Sequence, residues 1–297
     1  MTPIHNLLAA TDFSDLSRLA ADRAARLASA AGGRLLLVHA LSSSALAQLE
    51  QLLGLESAVP AQLIEQAQQA LDTLAHELST AHGLAVDRVV LQGAVLDQLT
   101  QEANRVEADI VAVGARGVGF VRHFLLGSTA ERLLRKSAHP VLVVKQASHG
   151  PYRRVLVAVD FSAWSAPLIE LARAVAPGAH LVLLSAYEVP FEGKLRFASV
   201  SEDTIDSYRV TSHRAASLQL QALASSVGLI PSDWTLCIPH ADPSQAIIEH
   251  EQALDCDLIV IGKQGQSMTE DLLLGSVTTH VLVESVGDVL VATAKSD

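Results

Sequence analysis

Residues 114–129 read GARGVGFVRHFLLGST, and their types and spacing could do chemistry. Gly114 and Gly117 open the stretch, Arg116 lies between them, and Gly127, Ser128 and Thr129 close it. Glycine lets a backbone come close to a ligand. A helix N-terminus presents unpaired N–H groups and a partial positive charge. Together they make a site suited to phosphate. The flanks predict both elements. Residues 108–114, ADIVAVG, form a short apolar run rich in β-branched side chains, as in a buried parallel strand. STAERLLRKS, from Ser128, has an early Glu and late basic residues, as a helix does. Asp12 follows another apolar run, NLLAAT, which includes Ala10 and Thr11. If the two strands are neighbours where strand order reverses, Asp12 faces the loop across one crevice. A carboxylate accepts from ribose hydroxyls or a base edge and repels phosphate. The constellation therefore reads as nucleotide, with phosphates on residues 114–128 and the nucleoside near Asp12.

The same pattern recurs. Residues 262–277 read GKQGQSMTEDLLLGSV after CDLIVIG, at an offset of 148 (262 − 114, 265 − 117 and 275 − 127). Asp160-Phe161-Ser162 repeats Asp12-Phe13-Ser14 at that offset. Each copy is long enough to be a whole domain rather than a solenoid repeat. Residues 146–152, QASHGPY, are polar and carry Gly150-Pro151, so they link domains at 1–147 and 152–297.

The elements that must position these residues alternate. In the first copy, strands are expected at residues 6–11, 34–40, 85–92, 109–113 and 140–145, with helices between them. Such alternation implies a parallel α/β sheet covered by helices on both faces. Residues 42–60 and 189–207, broken by Gly54, Pro60, Pro190 and Gly193, are expected to be irregular covers over the two crevices. The chain of 297 residues has 49% apolar and 4% aromatic content, which suits aliphatic cores. A net charge of −11 argues against a nucleic-acid partner. No apolar run is long enough to span a bilayer, and no secretion signal is evident. Two cysteines, Cys237 and Cys256, make a disulfide framework unexpected and a cytoplasmic setting the expectation.

The spacing G-x2-G-x9-G-[ST] after an apolar strand, with Asp after strand one, resembles the universal stress protein family. TDFS at residues 11–14, VDFS at 159–162 and HPVLVV at 139–144 carry the same resemblance. It covers essentially the whole chain, twice, and is to the ATP-binding branch in tandem form. It implies Rossmann-like or flavodoxin-like domains of strand order 3-2-1-4-5, each holding an adenine nucleotide (ATP, ADP or AMP) with or without Mg²⁺. By resemblance, Ala10, Thr11, Asp12 and Ala40 border adenine and ribose, while Gly114, Arg116, Gly117, Gly127, Ser128 and Thr129 border ribose and phosphates. The matching positions in the second copy are Ala158, Val159, Asp160, Gly262, Gly265, Gly275, Ser276 and Val277. The family also implies pairing of the two domains through their fifth strands, PVLVVK and DVLVAT. A homodimer of the whole chain is compatible with the resemblance and is not read from the residues.

The copies differ in charge. Gln264 replaces Arg116, Glu270 and Asp271 replace Arg122 and His123, and Lys263 replaces Ala115. Phosphate beside two carboxylates binds less well unless Mg²⁺ intervenes, so the first site is expected to be the tighter one. At the same offset Ala40 aligns with Glu188, Gly93 with Ala241 and Pro140 with Asp288. Plainer roles compete. Asp12, Asp160, Ser128 and Ser276 could be helix N-caps, and the arginines solvated charges. The twelve histidines show no zinc-binding spacing. No nucleophile, general base or metal cluster is evident, so binding in a stress or regulatory role is expected over catalysis. The rivals are a slow ATPase or nucleotidyl-group transferase, and a partner-docking protein that nucleotide merely stabilises.

Overall fold

The computed structural model describes residues 4–53, 58–117, 126–187, 200–265 and 274–293. Among them the chain runs β1 (Asn6–Ala10), α1 (Asp15–Ala31), β2 (Arg34–Ser42), α2 (Ser43–Leu53), α3 (Val59–His82), β3 (Val86–Gly93), α4 (Val95–Arg105), β4 (Ile110–Gly114), α5 (Ser128–Lys136) and β5 (Val141–Val144). The second copy gives β6 (Arg154–Ala158), α6 (Ser165–Val175), β7 (His180–Leu184), α7 (Glu202–Ser226), β8 (Trp234–Cys237), α8 (Pro243–Ala253), β9 (Leu258–Gly262), α9 (Ser276–Glu284) and β10 (Asp288–Ala292). The fold is α/β with a mostly parallel sheet.

The chain forms two compact units. One holds the first half up to Pro151 together with the chain from Asp288 onward, and the other is built between Tyr152 and Gly287. In the first unit the parallel order is β3-β2-β1-β4-β5. Leu7 pairs with Ile110, so β1 and β4 are neighbours and strand order reverses between them. In the second unit the parallel order is β9-β6-β7-β8. The remaining strand, β10, runs antiparallel to β5, with Leu290 opposite Leu142, its own counterpart at offset 148. The fifth strands therefore meet, and contacts group β10 with the first unit.

Burial explains the strands. Leu7, Leu8 and Ala9 of β1, Ile110, Val111, Ala112 and Val113 of β4 and all four residues of β5 are buried, as strands covered on both faces must be. Helix α1 turns Ala20, Ala21, Ala24, Ala25 and Ala28 inward, and these small side chains let it lie close to β1 and β4. Ser14 caps its start by accepting from Ser17 N, and Gly32 at φ 64° ends it, as the Gly32-Gly33 pair predicts.

Two expectations need correction. Residues 43–53 are not irregular but form α2, which packs on β2 and α3. Leu46, Leu49 and Leu52 recur at helical spacing there, and Gly54 lies outside the described residues. Of the other expected cover, residues 188–199 lie outside the described residues, and α7 begins at Glu202. The second correction concerns register. Ala10 pairs with Val38 in the first copy and Ala158 with Leu184 in the second, so the offset at this strand is 146 (184 − 38). Ala40 therefore corresponds to Ala186, not Glu188. The connection between β6 and β7 is two residues shorter than its counterpart, and surface connections absorb such changes freely.

Candidate functional site

At the reversal point, the C-terminal ends of β1, β2 and β4 and the start of α5 enclose a cleft of about 200 Å³. All ten first-copy positions singled out above line it. Ala10, Thr11 and Asp12 come from β1 and the turn after it, and Ala40 from β2. Gly114, Arg116 and Gly117 leave β4, and Gly127, Ser128 and Thr129 begin α5. The lining also includes residues that spacing alone does not flag, among them Ser17, His39, Val95 and Leu99. Val95 and Leu99 lie four apart on α4, and His39 is next to Ala40, which are the only signals that could have found them.

The loop is closed at its base. Gly127 N donates to Ala115 O at 2.8 Å, so both ends of residues 115–127 meet whatever lies between. Gly127 is the N-cap of α5 and supplies no side-chain cap bond, while exposed Ser128 and Thr129 stand in the first turn. Ser128 is thus not the cap. The helix presents its first N–H groups to the cleft, where an anion is favoured.

The glycines serve different ends. A Cβ on Gly114 would lie 2.7–2.8 Å from the backbone of Leu16 and Ser17 in α1, so this glycine lets the helix seat on the sheet. A Cβ on Gly117 would run into Asp12 Oδ2. The carboxylate therefore faces the loop, as expected from the strand order. Asp12 is not a helix cap either: its Oδ1 accepts from Ser14 N at 3.1 Å and Ser14 Oγ at 2.5 Å, and Ser14 caps α1. The cleft is lined by aliphatic side chains from Ala10, Val38, Ala40, Val95 and Leu99 and by the loop and helix terminus.

The second copy repeats the backbone but not the polar interior. Gly275 N closes the loop on Lys263 O at 2.9 Å, and Gly275 caps α9, with Ser276 and Val277 following. Val159 takes the place of Thr11. Ser165 Oγ, the counterpart of Ser17, donates to Asp160 Oδ1 at 3.2 Å. A Cβ on Gly265 would stand 3.7 Å from Asp160 Oδ2, so this carboxylate sits farther from its loop. Thr278, where the first copy has Ala130, donates to Gly262 O at 2.8 Å. Arg122, His123, Glu270 and Asp271, on which the expected charge contrast partly rests, lie outside the described residues.

Other candidate chemistry falls away among the described residues. No group of three His, Cys, Asp or Glu side chains is placed to hold a metal. Cys256 is buried, and burial pushes its thiol up to about 12, while Cys237 is raised for the same reason. Neither is an activated nucleophile. Among the described residues no helix is long and apolar enough to cross a membrane.

A parallel α/β sheet with a closed loop and a bare helix start at its reversal point defines a Rossmann-like α/β protein. The chain belongs to the universal stress protein family, whose sequence profile matches residues 3–145 and again 151–293. A universal stress protein of Mycolicibacterium smegmatis is 28% identical over 242 residues, 77% of this chain and 74% of its own. One from Thermus aquaticus is 31% identical over 139 residues, 47% of this chain and 97% of its own, so a single copy spans that relative. The crystal structure of a universal stress protein from Archaeoglobus fulgidus matches over 98% of both chains with a TM-score of 0.72 at 19% identity, a likeness of fold.

Proposed function

We propose that this chain is a stress-response or regulatory protein that binds one adenine nucleotide, in the cleft of its first copy, and acts by binding rather than catalysis. The observation that carries the reading is Asp12 Oδ2 turned onto Gly117 in a cleft lined both by aliphatic side chains and by the α5 N-terminus. The aliphatic lining suits a base, Asp12 suits ribose or base donors, and the loop and first turn of α5 suit phosphates. Any Mg²⁺ would arrive with the phosphates. Two free cysteines suit a reducing cytoplasm. The second copy is the weaker site: its Asp160 carboxylate sits farther from the loop glycine than Asp12 does, and Thr278 stands where the first copy has Ala130.

Calorimetric titration of the intact chain with ATP, ADP, AMP and adenosine tests this. One binding event per chain is expected. Gly117→Ala displaces Asp12 and should weaken binding about tenfold, equivalent to ~1.4 kcal/mol. Gly265→Ala should not change that event. Absence of binding, or two equal events, would overturn the reading. Phosphate release over long incubations should not exceed the buffer control.

A further inference from the structure

We infer that His39 is the residue that aims Asp12 in the first cleft, and that loss of its counterpart is one reason the second cleft differs; this rests on the nucleotide-binding reading above. The Thr11 carbonyl oxygen can only accept, so the 2.7 Å contact with His39 Nδ1 places a proton on that nitrogen. The same imidazole lies against the Phe13 ring, with centroids 4.5 Å apart and planes tilted by 30°. Phe13 has φ 64°, a left-handed conformation that a bulky side chain adopts only when its surroundings hold it there. His39 grips the turn on both sides of Asp12, by the backbone of Thr11 and by the side chain of Phe13. The grip is completed inside the turn. Phe13 N donates to Thr11 Oγ1 at 3.0 Å, Thr11 Oγ1 bonds Ser17 Oγ at 2.9 Å, and Ser17 Oγ donates to Ser14 O at 2.9 Å. Ser14 then holds Asp12 Oδ1, which leaves Oδ2 directed at Gly117.

The second copy serves as a natural control. Thr11 N donates to Val38 O, and Val159 N donates to Leu184 O, so His39 corresponds to Ser185. Phe161 keeps the left-handed backbone, φ 61°, but a serine brings no ring against it. With Val159 in place of Thr11, the hydroxyl of Ser165 turns to Asp160 Oδ1 instead. The strained turn persists in both copies, and Ser162 N still donates to Asp160 Oδ1 at 3.0 Å, but the carboxylate no longer comes as close to its loop glycine.

The test uses the full chain, with adenosine and ATP as the probes. His39→Ser should weaken both by about tenfold, which corresponds to ~1.4 kcal/mol. The loss should be equal for the two ligands, because Asp12 serves the nucleoside end. In an Asp12→Asn background the same substitution should add nothing, since it acts through Asp12; a purely structural role would give multiplying losses. Two milder variants separate the contacts should His39→Ser fail to fold. His39→Asn keeps a donor for Thr11 O, His39→Phe keeps a ring for Phe13, and each should weaken binding severalfold with little change in Tm. Wild-type affinity in His39→Ser, or in both milder variants, would overturn the inference while Asp12→Asn still weakened binding and the nucleotide reading stood. So would losses that multiply. Failure of the wild-type chain to bind either probe would overturn both.

Discussion

Gly114 and Gly117 are three residues apart in one loop, yet the structure gives them separate duties. The Cβ of Gly114→Ala would meet helix backbone at 2.7–2.8 Å, and backbone cannot swing aside. We expect that variant to lose roughly 1–3 kcal/mol of stability, the usual range for overpacking, in urea unfolding. Gly262→Ala, whose nearest neighbour would be 3.2 Å away, should lose less. A second residue-scale effect depends on pH. Asp242 caps α8 by accepting from Ser244 N at 3.0 Å and Gln245 N at 3.1 Å. Bonding from the Ser244 hydroxyl first, then from Gln245 N, holds its carboxyl below the usual aspartate range. A folded value depressed below the unfolded one stabilises above the unfolded value, and that contribution is lost as pH falls through the folded one. Asp242→Ala should thus cost roughly 0.5–2 kcal/mol at neutral pH. The gap from wild type should close on acidification below the ordinary aspartate range, and a gap independent of pH would contradict the cap.

At the scale of elements, β10 is held to the first unit by more than its ladder. Asp288, 1% exposed as a side chain, pairs with Arg23 of α1, 7% exposed, at 3.2 Å. Its other oxygen accepts from Lys145 N at 2.9 Å, and Arg23 donates to Gly150 O at 3.0 Å. One carboxylate thus ties α1, the end of β5 and the start of β10. Just before it, buried Glu251 of α8 accepts from Val286 N at 3.0 Å and Gly287 N at 2.6 Å. Asp288→Ala would leave Arg23 buried without its carboxylate, and the expected loss is about 3–5 kcal/mol. Replacing both members with apolar residues, Arg23→Met with Asp288→Leu, should recover most of it. Denaturant unfolding of the single and double variants measures the difference, and equal losses in the two would show that the ion pair is not the cause.

For the whole molecule, the consequence is that the two sequence copies are not two independent pieces. A chain cut after Pro151 loses β10 and bares the edge of β5, whose four residues are all fully buried. An uncovered apolar edge strand recruits another. Residues 1–151 alone should therefore dimerise or aggregate on size-exclusion chromatography; a stable monomer would show that the edge tolerates water. This is also why binding at each cleft is better compared by point substitution in the intact chain than by separating halves.

Much of this was legible along the chain because it is local. Runs such as NLLAA and IVAVG read as doubly covered strands, Ser14 and Gly32 mark helix ends by their own chemistry, and the offset of 148 exposes the duplication. Spacing around Gly114, Gly117 and Gly127 identified the loop, and the strand reversal it implied put Asp12 opposite. What only the tertiary structure decided depends on residues distant in sequence. Nothing near Gly114 in the chain announces that α1 rests on it. Nothing near His39 shows that its ring supports Phe13, or that Ser185 is its counterpart, because a two-residue change in a surface connection shifts the alignment there. Asp288 reads as the first residue of a strand, and its burial against Arg23 exists only once β10 has joined β5. Local patterns record what each segment needs from its own backbone; the aim of a carboxylate and the partner of a buried charge are set by which segments the fold brings together.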